Sequence, residues 1–326
     1  MNECKGLSIV TLAIVVGSYG VALANPLVVN AKPTNAIPTN DGQIFFDDFS
    51  YGDIESFNAN GWRVRTETGH PGIVGATWSG VGISFHPELK DTSRGAIRMS
   101  SITAGEGSNT RHTQFCHMRK YLNGTYAARV FFRDTPTYGP DGDEVIQTFY
   151  TISPLAFPMD LSYSEADFEY LPNGGWGSDS SPAMWTTTWE TFQLAPWAKV
   201  NEYTRKEGSY AGWRILVMTV KAEEVNYYVD GQLISTHSDK VAPEVPMSIN
   251  FNLWFMPEGA DGSIGPVDSD ELREYQQDID WVYHLADKVI SPQQVLTAVA
   301  NLQTQGVKHV DGVAESDPVL PSPCGL

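Results

Sequence analysis

Glu165-Ala166-Asp167-Phe168-Glu169 places three carboxylates at every second residue. In a β-strand, residues i, i+2 and i+4 project from one face, so this run would set three acids in a row. Like charges in a row repel one another and resist burial, and a row of this kind needs a reason to exist. Glycosidic bond chemistry supplies one. Retaining hydrolysis uses two carboxyl groups about 5–5.5 Å apart, one attacking the anomeric carbon while the other protonates the leaving oxygen. Residues i and i+4 of a strand have Cα atoms roughly 13 Å apart, and two glutamates are long enough to lean together and close most of that gap. Asp167, between them, can hydrogen-bond one glutamate and share charge or a proton with it, driving the neighbouring pKa values apart. Taken alone, the spacing also fits a solvated strand face.

Such a row needs a sheet, and the rest of the chain reads as one. Strand-like runs separated by turn residues begin near Gln43-Ile44-Phe45-Phe46. They continue at Trp62–Arg65, Ala96–Met99, Tyr126–Phe132, Val145–Tyr150, Ala183–Trp189, Trp213–Val220, Met247–Phe255 and Ile279–Leu285. Val225–Val229 and Gln232–Ser235 flank Asp230-Gly231, a pair that tolerates the positive φ of a tight hairpin. Many short strands with no helical periods between them predict an all-β fold, an antiparallel β-sandwich jelly roll. The long polar loops Leu171–Pro182 and Pro257–Asp270 suit the rim of a binding site. After Leu285 the period changes. Ser291-Pro292 reads as an N-cap and first helical residue, Val295, Leu296, Val299 and Leu302 form one stripe, and Gly306 stops a short C-terminal helix. The Pro-rich end from Asp311 reads as disordered.

Composition limits the partners. The 326 residues carry a formal net charge of −18, which repels nucleic acid and anionic membranes and tolerates an uncharged polymer. Lys5, the apolar Leu7–Val16 and Ala22-Leu23-Ala24 read as an export signal over 1–24; an uncleaved anchor is the alternative. Residues 25–42, with Pro26, Pro33 and Pro38, read as a flexible leader. The sandwich is expected over 43–286, with the helix and tail over 287–326. The expected location is secreted or extracytoplasmic, periplasm or extracellular, with no stable membrane insertion after signal cleavage. Cys116 and Cys324 either pair there or stay as a buried and a loose thiol.

Several further segments resemble glycoside hydrolase family 16, of the concanavalin A-like jelly-roll superfamily. The acidic run resembles that family's active-site signature. Gly124-Thr125-Tyr126-Ala127-Ala128-Arg129 is similar to its G-x-Y-E-x-R strand, with Ala127 in the place of Glu. Tyr228-Val229-Asp230-Gly231, Asn252-Leu253-Trp254, Asp280-Trp281-Val282 and Phe46-Asp47-Asp48-Phe49 resemble its hairpin and strands, in the family's order over about 43–285. The resemblance implies an endo-acting, retaining enzyme on a β-linked polysaccharide, β-glucan first. Glu165 would be the nucleophile, Glu169 the acid/base, and Asp167 the helper. Tyr163, Asn252 and Trp254 would line the cleft, Tyr163 as an aromatic platform. No cofactor is needed for catalysis; a structural Ca²⁺ at Asp280 is offered by the resemblance, against a plain strand-end acid. Gln114-Phe115-Cys116 and Trp213-Arg214-Ile215 depart from the pattern and leave the β-glucan specificity open.

The residues themselves give three more readings. Trp176, among Gly174, Gly175 and Gly177, is a sugar platform or a loop plug. Trp185 and Trp189 lie on one strand face, as core or cleft wall, with core the first choice. Trp213 and Trp281 read as core. No histidine pair has metal-ligand spacing. The expected partner is a polysaccharide, met as a monomer. A transglycosylase shares the first half-reaction, a lectin-like module would keep the cleft without the paired glutamates, and a lyase would need a Tyr or His base instead.

Overall fold

The computed structural model describes residues 43–85, 95–258, 263–264, 267–320 and 324. The expected signal and leader, 1–42, lie outside the described residues. Two antiparallel sheets face each other. One, here the site sheet, runs in spatial order Arg63–Val64, Arg111–Cys116, Ser248–Phe255, Val145–Ile152, Glu165–Leu171, Ala183–Leu194 and Trp197–Glu207. The other is built on the long strand Arg273–Ala286. One edge of that strand pairs first with Ile97–Thr103 and then with Ile44–Asp47, and its other edge pairs with Gly124–Phe132. Gly212–Lys221, Glu224–Val229 and Gln232–Ser238 extend this sheet outward. The Asp230-Gly231 turn has φ of 50° and 80°, the left-handed pair that a two-residue hairpin requires.

Period-two patterning decides which side chains fill the space between the sheets. Phe168 and Tyr170 point inward with Phe149, Phe251, Leu253 and Phe115, and they meet Val130, Met218, Tyr227, Ile279 and Val282 of the opposite sheet. Phe168, Phe149, Phe251 and Phe115 form a stacked row beneath the site sheet, with successive ring centroids 6.2, 5.2 and 5.1 Å apart. The row ties four neighbouring strands together from below. Because the even-numbered residues of Glu165–Leu171 go inward, Glu165, Asp167 and Glu169 must face out.

The helix Pro292–Thr304 carries a capping box, with Ser291 and Gln294 each bonded to the other's backbone N–H. It ends in a Schellman turn: Gly306, at φ 78°, donates to the Gln303 carbonyl, and Val307 donates to that of Leu302. Val295, Val299 and Leu302 pack against Phe46, Val217, Trp281 and Tyr283 on the outer face of the second sheet. Leu296 does not join that stripe; it is 37% exposed.

Two sequence expectations change here, and one strand was not anticipated. The end of the chain is not loose over its described residues. His309–Asp311 pairs with Ile44–Asp47, and the buried Lys120 ammonium donates to Asp311, Glu315 and the Val313 carbonyl at 2.7, 2.7 and 3.0 Å. Cys324 is disulfide-bonded to Cys116, 208 residues away. Composition recorded that this segment lacks a core of its own; it did not record the partners elsewhere. The strand Trp197–Glu207 escapes a period-two reading because it is the sheet's last strand and is polar on both faces. Trp213 is only half-buried, edge-to-face with Phe131 at 5.3 Å rather than lodged in the core.

Candidate active site

The three acids sit near the middle of the site sheet, and register sets their neighbours. On one side Glu165, Asp167 and Glu169 stand opposite Trp189, Thr187 and Trp185. On the other they stand opposite Ile152, Tyr150 and Thr148. The same rows continue through Asn250 and Asn252 to Cys116 and Gln114. The face turned away from the inter-sheet core is therefore mostly polar and aromatic across its breadth.

Each acid has different partners. The Tyr163 hydroxyl donates to Glu165 Oε2 at 2.5 Å, and Tyr163 itself is 3% exposed. The Trp189 indole N–H donates to Asp167 Oδ2 at 3.1 Å. Asp167 Oδ1 has no donor among the described residues. A carboxyl proton on that oxygen would turn it into a donor. Among the described residues Glu169 receives only a 3.4 Å contact from the Thr187 hydroxyl.

The proton affinities follow from these contacts. Burial pushes Glu165 up to about 7, against the pull of the hydrogen bonds from Tyr163 and Asp167, which favour its charged form. Burial and then the charge of Glu165 push Glu169 up to about 8. Burial, with Glu165 and Glu169 on either side, holds Asp167 well above the usual carboxylate range. All three carboxyls thus hold a proton more tightly than free carboxylates do, and the charge on one raises the proton affinity of its neighbours.

A second network borders the acids. The Thr148 hydroxyl donates to Asn252 Oδ1 at 2.7 Å, the Asn252 backbone N–H donates to Thr148 Oγ1 at 2.9 Å, and the Asn252 amide donates to the Tyr150 hydroxyl at 3.2 Å. Asn252 is almost fully buried, so it sets the hydroxyl of Tyr150 beside the acids. Two aromatic groups flank the row along the strand. Beside Glu169 stands Trp185, clustered with Trp78 and Trp254, and Trp176 is tilted on Trp254 at 5.8 Å. Beyond Glu165, the register slips between Trp189 and Thr191, and this bulge restores Phe192 to the site face. Phe192 there meets Tyr163, Trp189 and Trp197. Lys199 Nζ lies 5.3 Å from the Trp189 ring.

Several sequence expectations need correcting. Tyr163 is not an open platform; its ring is buried and its hydroxyl holds Glu165. Trp254 is 4% exposed, so Trp176, at 45% exposed, is the ring presented to solvent at that end. Trp185 and Trp189 are cleft wall rather than inter-sheet core. Asn252 acts through Tyr150 and Thr148. The Asp280 carboxylate accepts from Arg129 Nη1 at 2.5 Å, and that guanidinium lies 4.2 Å from the Trp213 ring. Sequence reasoning missed Tyr150, Thr187, Phe192 and Lys199. Period-two counting from Thr148 and from Trp185 could have found the first two; the bulge hid Phe192, and the unrecognised edge strand hid Lys199.

No family profile and no curated protein matches the chain by sequence. Solved structures match it in fold. A glycoside hydrolase family 16 endo-glucanase from Bacteroides ovatus, in complex with G4G3G-2F-DNP, superposes with a TM-score of 0.55 at 15% identity, over 74% of this chain and 99% of its own. A Bacillus licheniformis β-glucanase gives 0.51 at 17% identity, over 75% and 98%. The κ-carrageenase of Pseudoalteromonas carrageenovora, in complex with an oligotetrasaccharide of κ-carrageenan, gives 0.51 at 12% identity, over 78% and 99%.

Proposed function

We propose that this chain, which has the jelly-roll fold of glycoside hydrolase family 16 enzymes, is a retaining glycoside hydrolase that cleaves internal β-linkages of a polysaccharide. Ionised Glu165 attacks the anomeric carbon while Glu169 gives its proton to the departing glycosidic oxygen. The product is a glycosyl ester on Glu165. Glu169, now a carboxylate, takes a proton from water; that water displaces Glu165 and leaves a sugar of unchanged configuration. Asp167 donates to Glu165 throughout and steadies its charge as the ester forms and breaks.

The observation that carries this reading is the unequal donor supply. Among the described residues Glu165 receives the buried Tyr163 hydroxyl at 2.5 Å, whereas Glu169 receives one contact of 3.4 Å from Thr187. A solvated strand face or a binding module has no need to hold two carboxyls at different proton affinities. The substrate proposed is an uncharged β-glucan. Arg65, the cation buried beside the trough, is occupied by carbonyl oxygens, and three acids line the floor. The carrageenase relative shows that this fold serves other glycans. We place the enzyme outside the cytoplasm, acting as a monomer, since the Cys116–Cys324 disulfide suits an oxidising compartment. No helix among the described residues is long and apolar enough to cross a membrane.

The test is a panel of β-glucans, xyloglucan and galactans incubated with the protein and its Glu165→Gln variant, with products sized. Release of oligosaccharides by the wild type, lost in the variant while glycan binding persists, supports the reading. Glycan binding without release by either protein would instead identify a binding module.

A further inference from the structure

The strand Trp197–Glu207 is the last of the site sheet, and register carries the acid rows out onto it. Glu165, Asp167 and Glu169 stand opposite Trp189, Thr187 and Trp185, and these stand opposite Asn201, Tyr203 and Arg205. Lys199 stands opposite Phe192, which the bulge has returned to the site face. Period two therefore sets Lys199, Asn201, Tyr203 and Arg205 on the face that bears the acids. Two of these four are cations, in a chain of formal net charge −18. Arg205 is neutralised where it stands, by Asp179 at 3.0 Å and Glu207 at 2.5 Å. Lys199 has no carboxylate partner among the described residues; its ammonium is held over two rings, 5.3 Å from that of Trp189 and 5.6 Å from that of Tyr203.

Both rings lead to the acids. The Trp189 indole that takes the ammonium on its face donates its N–H to Asp167 at 3.1 Å. The Tyr203 ring lies 5.3 Å from that of Trp185, which stands opposite Glu169. The Lys199 side chain thus runs back along its strand, from beside Phe192 to the rows of Asp167 and Glu169. Aromatic faces attract a cation without neutralising it, so the ammonium is fixed in place with its charge intact. Lys199 is exposed, and water screens part of its field. The other charged or titratable groups near Glu169 are few. Glu165 and Asp167 share its strand, Tyr150 stands opposite Asp167, and Tyr163 is bonded to Glu165. Arg65 is spent on the carbonyls of Glu67, Gly69 and His70, and the His70 ring lies 6.2 Å from that of Phe192. Burial and then the charge of Glu165 raise the proton affinity of Glu169, while the Thr187 hydroxyl and Lys199 draw it back down.

We infer that Lys199, fixed between Trp189 and Tyr203, favours negative charge on Glu169 and so makes it a stronger acid toward the departing glycosidic oxygen. The inference rests on the hydrolase reading above and adds what sets the strength of its acid. In the first step the Glu169 proton goes to the glycosidic oxygen. That oxygen leaves the anomeric carbon with the bonding pair, and a Glu165 oxygen bonds to the carbon in its place. Negative charge is lost from Glu165 and gained on Glu169, and a cation acting on Glu169 lowers the cost of that shift. Lys199 acts through Glu169 and is a positioning residue.

Lys199→Met removes the charge and Lys199→Arg keeps it. Neither breaks an ion pair among the described residues, and unfolding in urea checks that both fold. On a soluble β-glucan the basic limb of kcat/KM lies near 8 in the wild type. In Lys199→Met it should move up by about 0.5–1 unit, because Glu169 then holds its proton to higher pH. Below the limb kcat/KM should fall by about 3–10-fold, since a weaker acid is a poorer proton donor. Lys199→Arg should retain the wild-type limb. An unmoved limb in Lys199→Met, or a limb moved as far by Lys199→Arg, would overturn the inference. The proton affinity is also read without turnover, by NMR of protein isotope-labelled at the glutamate side-chain carboxyls. The Glu169 resonance, assigned by its loss in Glu169→Gln, should titrate about 0.5–1 unit higher in Lys199→Met than in the wild type. Equal midpoints would overturn the role of Lys199 even in a protein inactive on every glycan. A raised midpoint in such a protein would uphold it and count against the hydrolase reading alone.

Discussion

Replacing Tyr163 with Phe removes one oxygen from the site and keeps the ring that packs edge-on against Phe192. That oxygen donates to Glu165 at 2.5 Å from a buried position, and water has no open route to replace it. A hydrogen bond to a charged group contributes roughly 1.5–3 kcal/mol. It favours ionised Glu165 over the protonated form, so its loss raises the Glu165 pKa. At 1.36 kcal/mol per unit, the expected rise is about 1–2 units. Glu165 must be ionised to attack, so the acid limb of the kcat/KM profile, set near 7 in the wild type, should move up by the same amount. Below that limb, kcat/KM should fall by about 10–100-fold, and the deficit should shrink as pH rises. The assay is initial-rate hydrolysis of a soluble β-glucan from pH 5 to 9, with unfolding in urea measured alongside. A deficit of equal size at every pH would mean that Tyr163 only supports the fold. An unmoved acid limb would refute the assignment of its hydroxyl to Glu165.

Four other outcomes follow from the same contacts. Glu165 is raised from its ordinary 4.5 to about 7 in the folded state, so the native protein holds a proton that the unfolded chain releases. Stability is therefore greatest below about pH 4.5 with respect to this group and is lost as pH rises through 7; Glu165→Gln should remove that loss, giving a higher midpoint in urea at pH 8 and little change at pH 4.5. Trp176→Ala should raise KM on polymer by about 3–10-fold with kcat nearly unchanged, a platform's share of ~0.5–1.5 kcal/mol, read from a Michaelis curve. Lys120→Met should cost about 1–3 kcal/mol in urea unfolding, because the ammonium is buried while Asp311 and Glu315 keep partial access to water. Reduction of Cys116–Cys324 should lower stability by roughly 2–5 kcal/mol, given the length of chain it closes.

The acids and the fold class were legible in the sequence for one reason: a strand buried on one face alternates, and Glu165–Glu169 alternates cleanly with Phe168 and Tyr170 inside. The helix was legible because Ser291, Pro292 and Gly306 are local signals that need no distant partner. What depended on distant partners was not legible. Tyr163 reads as a platform until its hydroxyl is seen on Glu165. Trp185 and Trp189 share a face in the sequence, but only the register with Glu169 and Glu165 says which face. The extra residue in the bulge reverses the parity after Trp189 and conceals Phe192. Trp197–Glu207 carries charges on both faces because an edge strand meets water on both. The Asp311–Leu320 stretch has little apolar content and is ordered by Lys120 and by pairing to Ile44–Asp47, which lie far away in the chain.

The claim on which the account turns is that Glu165 becomes bonded to the sugar. Glu169→Gln, mixed with an aryl β-glycoside of a β-glucan oligosaccharide, bypasses the need for acid in the first step and lacks the base for the second. The account predicts that one equivalent of phenol is released quickly, and that acid-quenched protein gains the mass of one glycosyl group on the peptide carrying Glu165. Release of phenol with no glycosyl-protein, or with the sugar on Asp167 or elsewhere, would contradict it.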